Sequence, residues 1–215
     1  RLDQEAAVAG LLTHDAGVLC APSAFGKTDT AAAMIARRGV NTLVLVHRTE
    51  LLKQWQERLQ AFLGAGKGAV GTIGGGKAKP TGKIDIAVMQ SLSRQGEVDP
   101  LVESYGQVIV DECHHVGAAS FDAILRRAGA KHVVGLTATP IRRDGQQPII
   151  FMQCGPIRHK AAQPLDAPHD LAVMRQFIES PIALPAEAGI QDVFRHLAQD
   201  AARTAAIASA ITNAF

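Results

Sequence analysis

The feature that most constrains the fold is a regular alternation of short apolar runs with segments of helical period. Val18, Leu19 and Cys20 form the first run, Thr42–Val46 (TLVLV) the second, and Ile84–Val88, Val108–Val110 and His132–Leu136 follow. Such short, bounded apolar runs read as strands buried on both faces. Between them, Gln4–His14 spaces Ala7, Val8, Leu11 and Leu12 as a helix does, Lys27–Arg38 is helical in pattern, and Thr49–Phe62 places Leu51, Leu52, Trp55, Leu59 and Phe62 on or near one stripe. Thr49 is a candidate cap for that helix, and Trp55 and Phe62 read as core residues. The alternation predicts an α/β fold: a mostly parallel central sheet flanked by helices on both faces.

A chain of 215 residues, 47% of them hydrophobic, suffices for one large domain of this kind with a short appendage. The expected core spans 1–140. The segment 141–188 holds six of the ten prolines, at 148, 156, 164, 168, 181 and 185, which excludes a long helix and reads as a linker or short strand extension. Residues 189–215 read as one or two helices. The stretch Gly64–Gly76 is expected to be irregular. A formal charge of +2 does not by itself announce nucleic acid, so any such binding must come from a local patch. Three cysteines fit a reducing, cytoplasmic interior better than a disulfide framework. No apolar run approaches the ~20 residues that span a bilayer, and no signal-peptide pattern opens the chain, so no membrane is expected. A start at Arg1, directly before a helical pattern, suggests a trimmed segment.

Ala21–Thr28 reads APSAFGKT between the strand ending at Cys20 and the helix beginning near Lys27, the context a phosphate loop needs. Backbone N–H groups of Ala24, Phe25, Gly26, Lys27, Thr28 and Asp29, at the positive end of the helix, would surround the phosphates of ATP. Lys27 would reach the β and γ oxygens, and the Thr28 hydroxyl would meet Mg²⁺. The strict pattern has glycine where Ala21 stands. A Pro/Gly turn ahead of a surface lysine is the alternative. Further on, Val108–His115 (VIVDECHH) delivers Asp111 and Glu112 at a strand's C-terminal end, where parallel sheets present ligand-binding residues. Asp111 suits the Mg²⁺ that Thr28 also touches, and Glu112 is placed to orient and deprotonate an attacking water. A soft-metal site at Cys113, His114 and His115 is the weaker reading, because adjacent residues rarely converge on one ion.

Asp111–His114 matches a DExH box, and DECHH followed by VGAASFDAIL resembles the repair-translocase branch of superfamily 2 helicases, the XPB type and its bacterial and archaeal relatives. The resemblance, which extends to type III restriction subunits, implies that this is the N-terminal RecA-like P-loop domain of an ATP-dependent DNA helicase or translocase. Members often carry alanine at the position of Ala21; Ala24 replaces a further loop glycine. Gln4 sits where members read the adenine edge, although it also suits a helix N-terminus. Leu136–Pro140 (LTATP) matches the segment that links ATP to nucleic acid, assigning coupling roles to Thr137, Thr139 and His114; a hydroxyl-rich turn is the alternative. Three segments match nucleic-acid motifs in family order: His47, Arg48 and Thr49 at a strand end and helix start; Gly75, Gly76 and Lys77 within GGGKAK; and Gln90 and Ser91. The glycine run could equally be a solvated loop. Contacts of this kind go to phosphate and sugar, so binding should be salt-sensitive and largely sequence-independent.

Family motors have a second RecA-like domain that supplies arginines to ATP, and this sequence contains no Gly-Arg pair. The expectation is a half-site that hydrolyses poorly alone. Two other functions fit the same motifs: a nucleotide-responsive module that never hydrolyses ATP, and an unrelated P-loop phosphotransferase.

Overall fold

The computed structural model describes residues 1–66, 68–94, 96–114, 118–139, 147–162, 177–178 and 187–214. Helix α1 (Leu2–Leu12) leads into β1 (Ala16–Cys20), a 3-10 turn over Ser23–Phe25 and α2 (Lys27–Arg38). Then come β2 (Thr42–Val46), α3 (Glu50–Leu63), β3 (Val70–Gly74), β4 (Lys77–Lys79), β5 (Ile84–Val88) and the one-turn α4 (Met89–Leu92). A small hairpin of β6 (Ser93–Arg94) and β7 (Glu97–Val98) and a 3-10 turn over Pro100–Ser104 precede β8 (Gln107–Val110). The order ends with α5 (Ala118–Arg127), β9 (His132–Thr137), α6 (Gln147–Cys154), β10 (Ile157–Lys160), α7 (Ile190–Gln199) and α8 (Ala201–Ala214).

Eight strands pair in the order β10-β1-β9-β8-β2-β5-β3-β4, all parallel except the β3–β4 edge pair. Successive strand residues face opposite sides, so the all-apolar runs feed two cores. Leu19, Val44, Val46, Ile86, Ile109 and Leu136 pack with α1, α2 and α3. Val18, Leu43, Leu45, Ala87, Val108 and Val110 pack with α5 and α6 on the other side. This is the expected α/β architecture, with helices on both faces of a mostly parallel sheet.

The chain divides into two compact units, Arg1–Leu165 and Asp166–Phe215. The first therefore reaches past the boundary at 140 that the prolines suggest. Within 141–188, α6 contacts β1 and β9, and β10 adds an edge strand beside β1. Proline allows both elements because Pro148 lies in the first turn of α6, where no intrahelical donor is needed, and Pro156 precedes β10. In the second unit, the Asp200 carboxylate accepts the Arg203 N–H at 2.9 Å and caps α8. No helix among the described residues is long and apolar enough to cross a membrane.

Gly64–Gly76 and Phe62 depart from the expected pattern. The stretch Gly64–Gly76 is not irregular throughout: β3 joins the sheet, and Gly75 (φ 58°) and Gly76 (φ 77°) form a two-residue turn to β4. Positive φ at both central residues is what such a tight hairpin demands, so these glycines serve turn geometry. Phe62 is 51% exposed near the end of α3, whereas Trp55 is buried as expected.

Candidate nucleotide site and nucleic-acid surface

The C-terminal edge of the sheet collects the predicted site. Ser23–Phe25 makes one 3-10 turn, Gly26 takes φ 89°, and α2 begins at Lys27. A Cβ on Gly26 would collide with the Gln4 amide and meet the Asp29 carboxylate, so the loop closes around this glycine. Ala24 needs no such freedom, because Glu112 is the one non-glycine with positive φ among the described residues. The substitution at Ala24 is thus compatible with the loop. Gln4 donates from Nε2 to the Phe25 carbonyl at 2.8 Å, which ties α1 to the loop. Asp29 lies in the first turn of α2, where a carboxylate complements the helix dipole. Thr28 sits half-buried in the same turn.

Lys27 is buried, with its ammonium 3.3 Å from the Ala21 carbonyl and 3.1 Å from Glu112 Oε1. Glu112 reaches it through a backbone constraint. The Asp111 N–H donates to the Leu45 carbonyl at 2.9 Å and the Cys113 N–H to the Leu136 carbonyl at 3.0 Å. With both neighbours pinned to adjacent strands, Glu112 is held at φ 45°. That conformation costs on the order of 1–3 kcal/mol for a non-glycine, and such strain persists where the surroundings enforce it. Glu112 Oε2 is buried and accepts no hydrogen bond among the described residues.

Asp111 is also buried. Burial pushes its carboxyl above the usual range; a hydrogen bond from Trp55 opposes this, Glu112 adds to it, and Lys27 offsets it in part. Trp55 Nε1 donates to Asp111 Oδ2 at 2.7 Å. The helical stripe assigns Trp55 to the core and says nothing of this bond. The usable signal was that a buried indole N–H needs an acceptor. Cys113 is fully buried, and desolvation raises its thiol well above the ordinary value, as for a thiol packed in the core. His115 lies outside the described residues. No group of three or more His, Cys, Asp or Glu that could hold a metal occurs among the described residues.

The coupling residues meet. The Thr137 hydroxyl donates to the Thr139 carbonyl at 3.1 Å, and its oxygen accepts the Thr139 N–H at 3.1 Å. His114 Nδ1 lies 2.7 Å from the same oxygen and 3.4 Å from Glu112 Oε2. Since the Thr137 proton is used on Thr139, the tautomer that fits has Nδ1–H donating to Thr137. Thr139 thus meets Thr137 through its main chain. The Ala21 N–H donates to the Thr137 carbonyl at 2.9 Å, closing a circuit from phosphate loop to acidic pair.

The three nucleic-acid segments converge on one neighbouring surface. His47, Arg48, Thr49, Gln90 and Ser91 line a single hollow, and Gln90 Nε2 lies 3.5 Å from the His47 carbonyl. A Cβ on Gly75 would stand 3.1 Å from Thr49 Cγ2, so the β3–β4 turn abuts the start of α3. Ser91 also borders the adjoining hollow with Gly76 and Lys77, where Glu97 and Asp99 form part of the wall. Thr49 occupies the cap position of α3 but makes no side-chain cap hydrogen bond, a correction to the expected cap.

The profile of the family described as type III restriction enzyme, res subunit, matches residues 1–142. The DNA 3'-5' translocase XPB2 of Sulfurisphaera tokodaii is 30% identical over 139 residues, covering 65% of this chain and 30% of the relative. The DNA 3'-5' helicase XPB of Mycobacterium tuberculosis is 32% identical over 132 residues, covering 59% and 24%. The chain thus spans under a third of these relatives' lengths. The UvsW helicase of bacteriophage T4 shares the fold, with a TM-score of 0.64 at 18% identity over 73% of this chain and 58% of that one. The match across the phosphate loop, the acidic pair and the Thr-Ala-Thr segment places this chain in the type III restriction res-subunit family, as the N-terminal RecA-like domain of a superfamily 2 helicase.

Proposed function

We propose that this chain binds Mg–ATP at the C-terminal edge of its sheet and the backbone of DNA on the adjoining surface, as the first motor domain of an ATP-driven 3'-5' helicase or translocase. The observation that carries the reading is the Lys27–Glu112 contact at 3.1 Å beside the buried Asp111. In this state Lys27 neutralises the residue assigned to activate water. On nucleotide binding, Lys27 exchanges Glu112 for phosphate oxygens, which releases the carboxylate to take a proton from water. The underused oxygen of Glu112 and the desolvated carboxyl of Asp111 suit a site completed by cation and water. Asp111 and Thr28 would hold Mg²⁺ together with phosphate oxygens, since this ion keeps few protein ligands. Bound Mg²⁺ supplies neutralisation of the developing phosphate charge. Gln4, fixed to the loop through Phe25, stands ready for the adenine edge.

The names of the XPB relatives support DNA as the partner. Arg48 and Lys77 supply charge for phosphates. A second RecA-like domain would supply the arginines that complete hydrolysis, worth about 10³ to 10⁵ in rate in related enzymes.

Calorimetry with Mg–ATP tests the nucleotide site. Lys27→Ala abolishes binding, whereas Glu112→Gln in the full-length protein retains binding and stops turnover; wild-type affinity in Lys27→Ala overturns the assignment. For the DNA surface, Arg48→Ala weakens binding alike across sequences and lowers the salt slope by about 1.

A further inference from the structure

Trp55 is the sole tryptophan of the chain. It lies in α3, whose start adjoins Arg48 and Thr49, and its indole is 3% exposed. A buried hole at this place could be filled by any large apolar side chain. What distinguishes Trp55 is its partner: Nε1 donates at 2.7 Å to Oδ2 of Asp111, the carboxylate assigned to Mg²⁺. Among the described residues, Trp55 is the side chain that donates to this carboxylate. A rigid side-chain donor that takes one oxygen, beside a backbone hydrogen bond from Glu112, constrains how the carboxylate presents the other, as partners behind metal ligands generally do. The same side chain is packed into the helix that begins at the nucleic-acid surface.

We propose that Trp55 is a positioning residue whose indole N–H orients Asp111 for Mg²⁺ and ties the metal site to helix α3. This rests on the Mg–nucleotide reading above. A shift of α3 on DNA binding is then transmitted to Asp111 by one hydrogen bond, and by reciprocity Mg–nucleotide acts back on DNA affinity.

The lone tryptophan makes the test direct. With ADP already bound to the wild-type chain, added Mg²⁺ should change Trp55 emission, and Asp111→Asn should lose that change. Trp55→Phe keeps an aromatic filler and removes the donor. It should raise the Mg²⁺ concentration for half-maximal nucleotide binding about tenfold, while ADP affinity measured in chelator stays at the wild-type value. Emission indifferent to Mg²⁺ in a protein that calorimetry shows to bind Mg–ADP overturns the proposal, as does an unshifted Mg²⁺ requirement in a folded Trp55→Phe. Should that variant not fold, the wild-type emission still decides. Absence of Mg-dependent ADP binding in the wild type would instead overturn the nucleotide site, and this inference with it.

Discussion

Two carboxylates are buried near opposite ends of one sheet, and they are treated differently. Asp85, at the start of β5, is fully buried and accepts from the Thr81 N–H at 2.7 Å, the Thr81 hydroxyl at 2.9 Å, the Gly82 N–H at 2.8 Å and the Tyr105 hydroxyl at 2.6 Å. Asp111, just past β8, has Trp55 as its side-chain donor and a backbone hydrogen bond from Glu112, and beside it Glu112 keeps a buried oxygen with no hydrogen-bond donor, His114 Nδ1 standing 3.4 Å away. A carboxylate saturated by neutral donors is finished and serves to lock a loop. One left short of donors is poised for something not of the chain, and the usual completions are cation and water. Even the local glycines follow this division. A Cβ on Gly71 would collide with the Asp85 carboxylate, while Gly26 shapes the open loop facing Asp111.

Asp85 carries the larger of the two effects. Asp85→Ala strands donors from Thr81, Gly82 and Tyr105 in or near the interior, and should destabilise the fold by about 3 kcal/mol or more, read from denaturant midpoints. The Tyr105 phenol, held well above its ordinary range by burial and by Asp85, should then titrate at lower pH. A near-neutral Asp85→Ala would remove the distinction between the two ends.

At Asp111 the expected effect is smaller and opposite in sign. Its folded-state pKa is raised, so its favourable contribution is complete below the unfolded value and is lost as pH rises through the folded one. Asp111→Asn keeps an acceptor for Trp55 and removes the charge. Without metal it should match the wild type in acid and become slightly more stable toward neutral pH, as thermal midpoints across that range would report. A variant less stable than the wild type at neutral pH would mean that the ionised Asp111 is satisfied by the protein alone.

The sequence made much of this legible, and for identifiable reasons. The apolar runs of β1, β2, β5, β8 and β9 carry their strand character locally, and the Lys27-Thr28 and Asp111-Glu112 pairs are separated from strands by too few residues to go elsewhere. The edges were less legible. β3, β4 and β10 are short or glycine- and proline-marked, and they become strands because a neighbouring strand offers partners. Gly75 and Gly76 form the β3–β4 turn, and glycine's freedom there serves a turn and a ligand equally well.

By itself, then, the sequence determined the parallel sheet, the loop-and-acid half-site and the order of the nucleic-acid segments, since each depends on residues adjacent along the chain. Only the tertiary structure decided what lies between distant residues. It paired Lys27 with Glu112, bent Glu112 to positive φ between two pinned neighbours, routed Thr139 through its backbone, and set Trp55 on Asp111 across 56 positions. Those choices follow from burial, which forces each enclosed polar group to find whatever partner the packing brings within about 3 Å.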